Sequence, residues 1–199
     1  HTGDDDAVRN ALQLVKEGGA EAIKLEGGHK RVQLVKRLVD EEISVMGHIG
    51  LTPQSINQLG AYRVQGKTAL AAQQLIDDAK ALEDAGAFAV VLEVVPREIA
   101  KMITESISIP TIGIGAGVHC DIQVLVIHDM LGLSFGKQAR FVRPYANLRE
   151  VMTEAVSKYA DDVRNGTYPS QAESYGLPAE TAEQLGIEIP ARDSRGEKS

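Results

Sequence analysis

The chain has 199 residues, of which 43% are hydrophobic and 25% charged, and this composition is typical of a globular protein with one sizeable core. Its formal net charge of -7 argues against nucleic-acid or anionic-membrane partners, because no dense positive surface is available to meet phosphate groups. The single cysteine, Cys120, excludes an intrachain disulfide, and we recognise neither a signal peptide nor an apolar run of about 20 residues. We therefore predict a cytoplasmic protein that acts on small molecules.

The first predicted element is a helix over "TGDDDAVRNALQLVKEGG", which glycines end. Its predicted buried face consists of Val8, Ala11, Leu12 and Val15. Three acidic residues, Asp4, Asp5 and Asp6, stand in its first turn. Successive helical side chains point about 100° apart, so these carboxylates do not easily converge on one metal ion. We interpret them as a solvated helix start that the helix dipole favours.

Strands and helices then alternate. The predicted strands lie near residues 21–26, 43–49, 88–94, 111–115 and 123–127, and helical spacing marks "RVQLVKRLVDE", "ALAAQQLIDDAKALEDAG" and "REIAKMITESI". This alternation predicts a parallel sheet covered by helices. A last helix, "NLREVMTEAVSKYADDVRNG", carries an apolar side. We predict one domain over residues 1–166 and a tail over residues 167–199 that is mobile beyond about residue 178.

A short phrase occurs twice: "GAEAIKLE" at residues 19–26 and "GAFAVVLE" at residues 86–93. Each copy reads as a strand that ends in a glutamate, Glu26 or Glu93, and one further predicted strand, "ISVMGHI", lies between them. In an eight-stranded parallel barrel, alternate strands contribute to the same layer of inward side chains, and chemistry takes place at the carboxyl ends. The repeat therefore predicts that both glutamates point into one pocket, with His48 between them.

Each of these residues also has a structural interpretation. Lys24 and Glu26 stand two apart on one strand face and could neutralise each other. Glu93 has no such local partner, which favours a proton acceptor, although it could also lie at a solvated loop edge. His48, in "MGHIGL", could equally be a hydrogen-bonded core residue.

Two further patterns suggest chemistry less strongly. "GIGAG" at residues 113–117 follows a strand, but the next strand begins too soon for a dinucleotide-binding helix, so we predict a tight turn. The potential metal ligands His119, Cys120, Asp121, His128 and Asp129 lack a zinc-type spacing, and we interpret them as local structure.

Five phrases arrive in order along the chain: "KLEGG" (24–28), "GHIGLTPQS" (47–55), "YRVQGK" (62–67), "VLEVVP" (91–96) and "IPTIGIGAG" (109–117). Together they resemble the ketopantoate hydroxymethyltransferase family, from about residue 7 to Tyr175. The resemblance implies an α/β fold, the (β/α)8 TIM barrel, and a homo-oligomer, which is a decamer in the family. Without the resemblance, five strands would more naturally suggest an open doubly wound sheet.

The resemblance also implies a reaction. Members bind Mg²⁺ and the 2-oxo acid 3-methyl-2-oxobutanoate, and they add a one-carbon unit from 5,10-methylenetetrahydrofolate to give ketopantoate, in pantothenate biosynthesis. Glu26 matches the family's glutamate at the magnesium centre, and Lys24 matches its substrate-binding lysine. Glu93 matches its general base, and His48 matches a histidine beside the substrate pocket.

In the family pattern, three strand-helix units precede the first helix found here, and they carry two aspartates and a serine of the site. We therefore expect residues 1–199 to be part of a longer chain, or another segment to complete the barrel, because five strands cannot close an eight-stranded barrel. Two alternatives to the transferase remain: an inactive subunit with a role in assembly, and a magnesium-dependent oxo-acid barrel enzyme of the phosphoenolpyruvate mutase or isocitrate lyase type.

Overall fold

The computed structural model describes residues 3–53 and 63–188. Gln54, Ser55 and Tyr62, which belong to two of the recognised phrases, lie outside the described residues, as do residues 189–199. Among the described residues, no helix is both long and apolar enough to cross a bilayer.

The described chain alternates between helices and short strands in the predicted order. The strands are β1 (Ile23–Glu26), β2 (Val45–Gly50), β3 (Ala89–Glu93), β4 (Thr111–Ile114) and β5 (Ile122–Gln123). The first four helices are α1 (Asp4–Lys16), α2 (Val32–Asp40), α3 (Ala69–Asp84) and α4 (Arg97–Ser106). The later helices are α5 (Ile127–Met130), α6 (Leu148–Arg164) and α7 (Ala179–Leu185). Short 3-10 turns span His29–Arg31 and Gln171–Glu173.

All five strands are parallel, and their order in the sheet is β1-β2-β3-β4-β5. The predicted α/β class is therefore confirmed. A doubly wound sheet reverses its strand order at a switch point, whereas a barrel adds each new strand beside the previous one. The observed order is that of a barrel segment and differs from the doubly wound alternative. Within the described ranges, β1 pairs only with β2 and β5 only with β4, so these strands form an open segment.

The core lies between one face of the sheet and helices α1 to α4. Alternate strand residues supply the sheet's part of this core, because successive side chains of a strand point to opposite faces. They include Val45 and Ile49 of β2 and Val90 and Leu92 of β3. The helices contribute their apolar stripes, and those of α1 agree with the predicted face: Ala7, Val8 and Ala11 are buried, and Leu12 and Val15 pack against them. The opposite face of the sheet carries the remaining strand residues, which include every predicted site residue.

Strand β5 is much shorter than predicted. It pairs with β4 only at Ile122 and Gln123, and helix α5 already begins at Ile127. One more hydrogen bond, from the Val124 N–H to the Gly113 carbonyl at 3.0 Å, ends the ladder. Since β4 itself stops at Ile114, it offers β5 few further partners. The alternating apolar residues of "IQVLVI" therefore do not form the five-residue strand that their pattern predicts.

Contacts divide the described chain into two compact units. The first contains the described residues up to 130 together with 135–143, and thus the whole sheet; the second contains residues 131–134 and the described residues from 144 onward. In the second unit, α6 has the predicted apolar side, yet none of its residues is buried. The predicted tail includes α7, whose Ala182 is buried.

Candidate active site

The carboxyl ends of β1, β2 and β3 bring the two repeated glutamates to the same place. Register pairs Glu26 with His48 across β1 and β2, and it pairs Gly50 with Glu93 across β2 and β3. Glu26 and His48 lie on the sheet face opposite the helices, and so does Glu93, since its strand neighbour Leu92 belongs to the core. Glu93 thus lies two residues further along the register than Glu26, and the two carboxylates stand on either side of one imidazole.

The three side chains are close enough to interact. The Nε2 atom of His48 lies 3.1 Å from Oε2 of Glu93, and its Nδ1 atom lies 3.7 Å from Oε1 of Glu26. His48 is 1% exposed, whereas the side chains of Glu26 and Glu93 are 10% and 15% exposed. The histidine is therefore fully enclosed, and the two carboxylates are the groups that a small molecule could reach.

The imidazole is held by proximity to charge more than by well-aligned hydrogen bonds. Neither ring nitrogen of His48 has a partner in hydrogen-bond geometry among the described residues, although both lie near carboxylate oxygens. A buried polar group without such a bond costs free energy, and native proteins keep few of them. A neutral imidazole has one N–H and can donate to only one carboxylate at a time. His48 is therefore placed to respond to a change of charge on either glutamate.

The backbone around Glu93 is tightly constrained. Its carbonyl accepts a hydrogen bond from the Leu51 N–H at 2.8 Å, and the next residue, Val94, donates to the Ile114 carbonyl at 2.9 Å. Val94 has a φ of 53°, a left-handed conformation that is rare for a branched side chain. This turn ends the strand's alternation, because Val95 returns to the helix-side core instead of following Glu93 onto the site face. Glu93 is therefore the last residue of its strand that faces the site.

Gly50 has a structural role beside this turn. Its φ is 92°, and a methyl group on its Cα would overlap the Glu93 carbonyl oxygen. The close approach of β2 and β3 at this level thus requires glycine.

Lys24 lies on the site face of β1, two residues before Glu26, and it is exposed. The structural alternative for this pair is a mutual ion pair, but the ion pair described for Glu26 is with His48. Lys24 is exposed beside Glu26, and its substrate-binding role stays a prediction.

A magnesium ion is the metal that the resemblance implies, and the donor set fits it in part. Mg²⁺ prefers oxygen ligands and commonly uses one or two carboxylates, with water and substrate oxygens completing its six positions. Glu26 supplies such a carboxylate, and it is partly accessible. Within residues 3–53 and 63–188, no three His, Cys, Asp or Glu side chains converge as a metal cluster.

Among the other potential metal ligands, Asp121 belongs to local structure, as predicted. Asp121 accepts hydrogen bonds from the Thr111 N–H at 2.8 Å and from the Thr111 hydroxyl at 2.9 Å. Both bonds lower the pKa of Asp121 below its usual value, and the bond from the N–H has the larger effect. The Thr111 hydroxyl also lies 2.9 Å from that of Thr104. The sequence analysis missed both threonines, and no spacing signal marks them.

The predicted turn at "GIGAG" and the solvated helix start are also seen. Gly115 and Gly117 have φ values of 64° and 84°, which is the left-handed region that glycine supplies. Asp4, Asp5 and Asp6 stand in the first turn of α1, and Asp5 forms an ion pair with Arg37 at 2.6 Å.

Comparison with known proteins gives a consistent result. The family model described as ketopantoate hydroxymethyltransferase matches residues 1–171. A 3-methyl-2-oxobutanoate hydroxymethyltransferase from Koribacter versatilis (strain Ellin345) is 55% identical over 185 residues, which are 93% of this chain and 63% of that protein. Proteins of the same name from Clostridioides difficile (strain 630) and Carboxydothermus hydrogenoformans are 49% and 54% identical and are covered to 67% and 65% of their length. The chain thus spans about two thirds of the length of these relatives.

One solved structure, of a phosphonopyruvate hydrolase, matches 92% of this chain and 65% of its own, at 14% sequence identity and a TM-score of 0.44. That score is too low to establish a shared fold.

Proposed function

Because the chain belongs to the ketopantoate hydroxymethyltransferase family, we propose that its protein transfers a hydroxymethyl group from 5,10-methylenetetrahydrofolate to 3-methyl-2-oxobutanoate and forms ketopantoate. The observation that carries this proposal is the meeting of Glu26, His48 and Glu93 at the carboxyl ends of three successive parallel strands. Active sites of barrel enzymes occupy this edge of the sheet.

Glu93 acts as the general base. In this role its carboxylate takes the proton from C3 of the oxo acid, and the electron pair of that C–H bond moves towards the 2-oxo group. The carboxylate is 15% exposed and can therefore reach a bound substrate. Its backbone is fixed on both sides, by Leu51 and by Ile114, which keeps the base in one position during proton transfer.

His48 responds to this proton transfer. Its Nε2 atom lies 3.1 Å from the Glu93 carboxylate, so an N–H at this position stabilises the charged base before the reaction. When Glu93 becomes protonated, this N–H faces a neutral acid, and the other carboxylate near the ring is that of Glu26, 3.7 Å from Nδ1. His48 is enclosed and does not itself contact solvent, which favours this role over direct binding of the substrate.

Glu26 and Lys24 bind the metal ion and the carboxylate of the substrate, respectively. Glu26 would hold Mg²⁺, which when bound supplies positive charge to the oxygen that becomes negative as the C3 proton leaves. Lys24, on the same strand face, attracts the substrate carboxylate. Water releases the one-carbon unit as formaldehyde, and the two hydrogens of the water go to the two folate nitrogens. C3 then forms a bond to the formaldehyde carbon, and the oxygen of the new hydroxymethyl group takes the proton held by Glu93.

The alternative of a mutase- or lyase-type enzyme with a reactive cysteine has less support. The chain's single cysteine, Cys120, is buried, and desolvation raises the pKa of its thiol. A methyl group on Gly113 of β4 would contact its Sγ, and Cys120 belongs to the core on the helix side of the sheet, opposite the face that carries Glu26 and Glu93. A buried thiol of raised pKa is a poor nucleophile.

The test is turnover by the protein expressed from its complete reading frame. Incubation with 3-methyl-2-oxobutanoate, methylenetetrahydrofolate and Mg²⁺ should form ketopantoate, measured by mass spectrometry. Solvent deuterium should also enter C3 of the oxo acid without folate, because proton removal precedes carbon transfer. A protein that folds but neither forms ketopantoate nor exchanges the C3 proton would contradict the proposal and favour a role in assembly.

A further inference from the structure

The loop that follows Glu26 is anchored at two points. The Gly27 N–H donates to the His48 carbonyl at 2.9 Å, which extends the pairing of β1 and β2 by one residue. The His29 N–H donates to Oδ1 of Asp78 at 2.8 Å, and this carboxylate belongs to helix α3. The chain direction at Glu26 is therefore set by β2 on one side and by a residue 52 positions later in sequence on the other.

Asp78 differs from its neighbour Asp77 in a way that indicates a specific role. Its side chain is 14% exposed, and its Oδ1 atom also lies 3.4 Å from Nδ1 of His29. Asp77 is exposed and accepts a hydrogen bond only from Gln73, one helical turn earlier, among the bonds described for it. A carboxylate that is mostly removed from water is costly unless donors satisfy it. The N–H of His29 is such a donor, and its ring lies beside the same oxygen, so loop and carboxylate hold each other in place.

Gly28 provides a second, independent observation. A methyl group on its Cα would overlap the Asp78 carboxyl group, so the loop and the helix meet here without space for any larger residue. A side chain at this position could be accommodated only if the carboxylate moved, and that movement would break its bond to His29. The second glycine of the phrase "KLEGG" therefore has a physical explanation in Asp78.

We propose that Asp78 is a positioning residue for Glu26: by holding the Gly28–His29 segment against α3, it fixes the direction in which the Glu26 carboxylate leaves the end of β1. Asp78 does not touch substrate or metal and acts only through the loop. The part of the proposal that concerns Mg²⁺ rests on the proposed function; the part that concerns the Glu26–His48 contact does not.

Substitutions at the two positions should interact with a defined sign. Asp78→Ala and Gly28→Ala should each weaken Mg²⁺ binding, measured by calorimetry with the metal alone, by about 10-fold, which is typical when a group that orients a ligand is lost. In the double variant, Gly28→Ala should cause no further loss, because the carboxylate that its methyl would strike is gone. Asp77→Ala, on the same helix, should bind Mg²⁺ like the unchanged protein. If the losses of Mg²⁺ affinity in Asp78→Ala and Gly28→Ala add up in the double variant, the proposal is overturned. It is also overturned if Asp78→Ala binds Mg²⁺ as tightly as Asp77→Ala does.

Asp78→Asn separates positioning from folding. An amide oxygen can still accept the His29 N–H, so this variant should recover most of the Mg²⁺ affinity that Asp78→Ala loses. If Asp78→Ala fails to fold, as judged by circular dichroism, the comparison of Asp78→Asn with and without Gly28→Ala replaces it. In Asp78→Asn the carboxamide still occupies the position that a methyl group on Gly28 would overlap, so adding Gly28→Ala should weaken Mg²⁺ binding as it does in the unchanged chain. Equal Mg²⁺ affinities of Asp78→Asn with and without Gly28→Ala would contradict the proposal.

A readout independent of metal and turnover is the imidazole of His48, which lies 3.7 Å from Glu26. In protein labelled with nitrogen-15 at histidine, the His48 ring signals should move in Asp78→Ala in the same direction as in Glu26→Gln, and they should stay in place in Asp77→Ala. Unchanged ring signals in Asp78→Ala would refute the positioning role. If the unchanged protein binds no Mg²⁺, the proposed function fails, and these signals still decide the role of Asp78.

Discussion

Glu93 and Glu26 lie on opposite sides of one imidazole: Nε2 of His48 is 3.1 Å from the first carboxylate, and Nδ1 is 3.7 Å from the second. The three residues come from three consecutive strands, and none of them is adjacent to another in sequence. A change of charge on one glutamate is therefore felt by the other through a group that water cannot reach. The two glutamates are thus linked through His48.

Glu93→Gln should abolish proton removal while leaving binding intact. A carboxamide has nearly the same shape as the carboxylate but cannot accept the C3 proton, so the rate of solvent exchange at C3 should fall by about 10²-fold to 10⁴-fold. Exchange can be followed by proton NMR of the oxo acid in deuterated water. Glu98→Gln, an exposed glutamate at the start of α4, is the matched control and should exchange normally. Equal exchange in both variants would remove Glu93 from the role of base.

Glu26→Gln should weaken Mg²⁺ binding because it replaces an anionic oxygen by a neutral one. We expect the half-saturating Mg²⁺ concentration for exchange to rise, with the maximal rate at high Mg²⁺ much less affected. Calorimetric titration with Mg²⁺ alone gives the same comparison without turnover. Glu21→Gln, an exposed residue just before β1, should leave the affinity unchanged. An unaltered Mg²⁺ dependence in Glu26→Gln would contradict its assignment to the metal.

Acid stability should depend on Asp121. Hydrogen bonds from Thr111 hold the pKa of this carboxyl below its usual value, so the folded state binds the proton less tightly than the unfolded chain does. The stabilisation is therefore present above the unfolded pKa of about 4, and it is lost as the pH falls through the lower folded pKa. Asp121→Asn should flatten the fall of the free energy of unfolding with pH below about 4. Asp84→Asn, at an exposed site, should leave that slope as it is.

Glu42→Gly should stabilise the protein. Glu42 has a φ of 61° in the turn between α2 and β2, and this left-handed conformation costs a side-chain-bearing residue about 1–2 kcal/mol. Part of that gain is offset by the extra chain entropy that glycine loses on folding, which leaves a net increase of roughly 0.5–1 kcal/mol in the free energy of unfolding.

The matched control for this substitution is Glu41→Gly. Glu41 has a φ of -89°, so the same change of charge and size brings no relief of strain and should destabilise slightly. Urea titration distinguishes the two variants. A loss of stability in Glu42→Gly equal to that in Glu41→Gly would show that the left-handed turn carries no cost.

Local chemistry determined much of this protein from its sequence alone. Apolar period and turn residues were enough to predict the five strands, the major helices and the buried stripe of α1, because these depend on neighbours within a few positions. The repeated strand, with its terminal glutamate, was enough to predict that Glu26 and Glu93 share one edge. The length of β5 was not predicted correctly, because a strand persists only where a neighbouring strand offers partners.

Tertiary structure alone decided which residues support the site. The repeat predicted that His48 lies between the two glutamates, but the distances from its ring nitrogens to the carboxylates depend on the register of three strands. The contact of Asp78 with the loop after Glu26 joins residues 49 apart, and no periodicity in the sequence encodes it. A hydrogen bond between distant segments depends on how whole helices and strands pack. Asp77, the neighbouring aspartate on α3, is exposed, and the hydrogen bond described for it is with Gln73 of its own helix. Sequence determined the elements and their chemistry, and packing determined which of these groups meet.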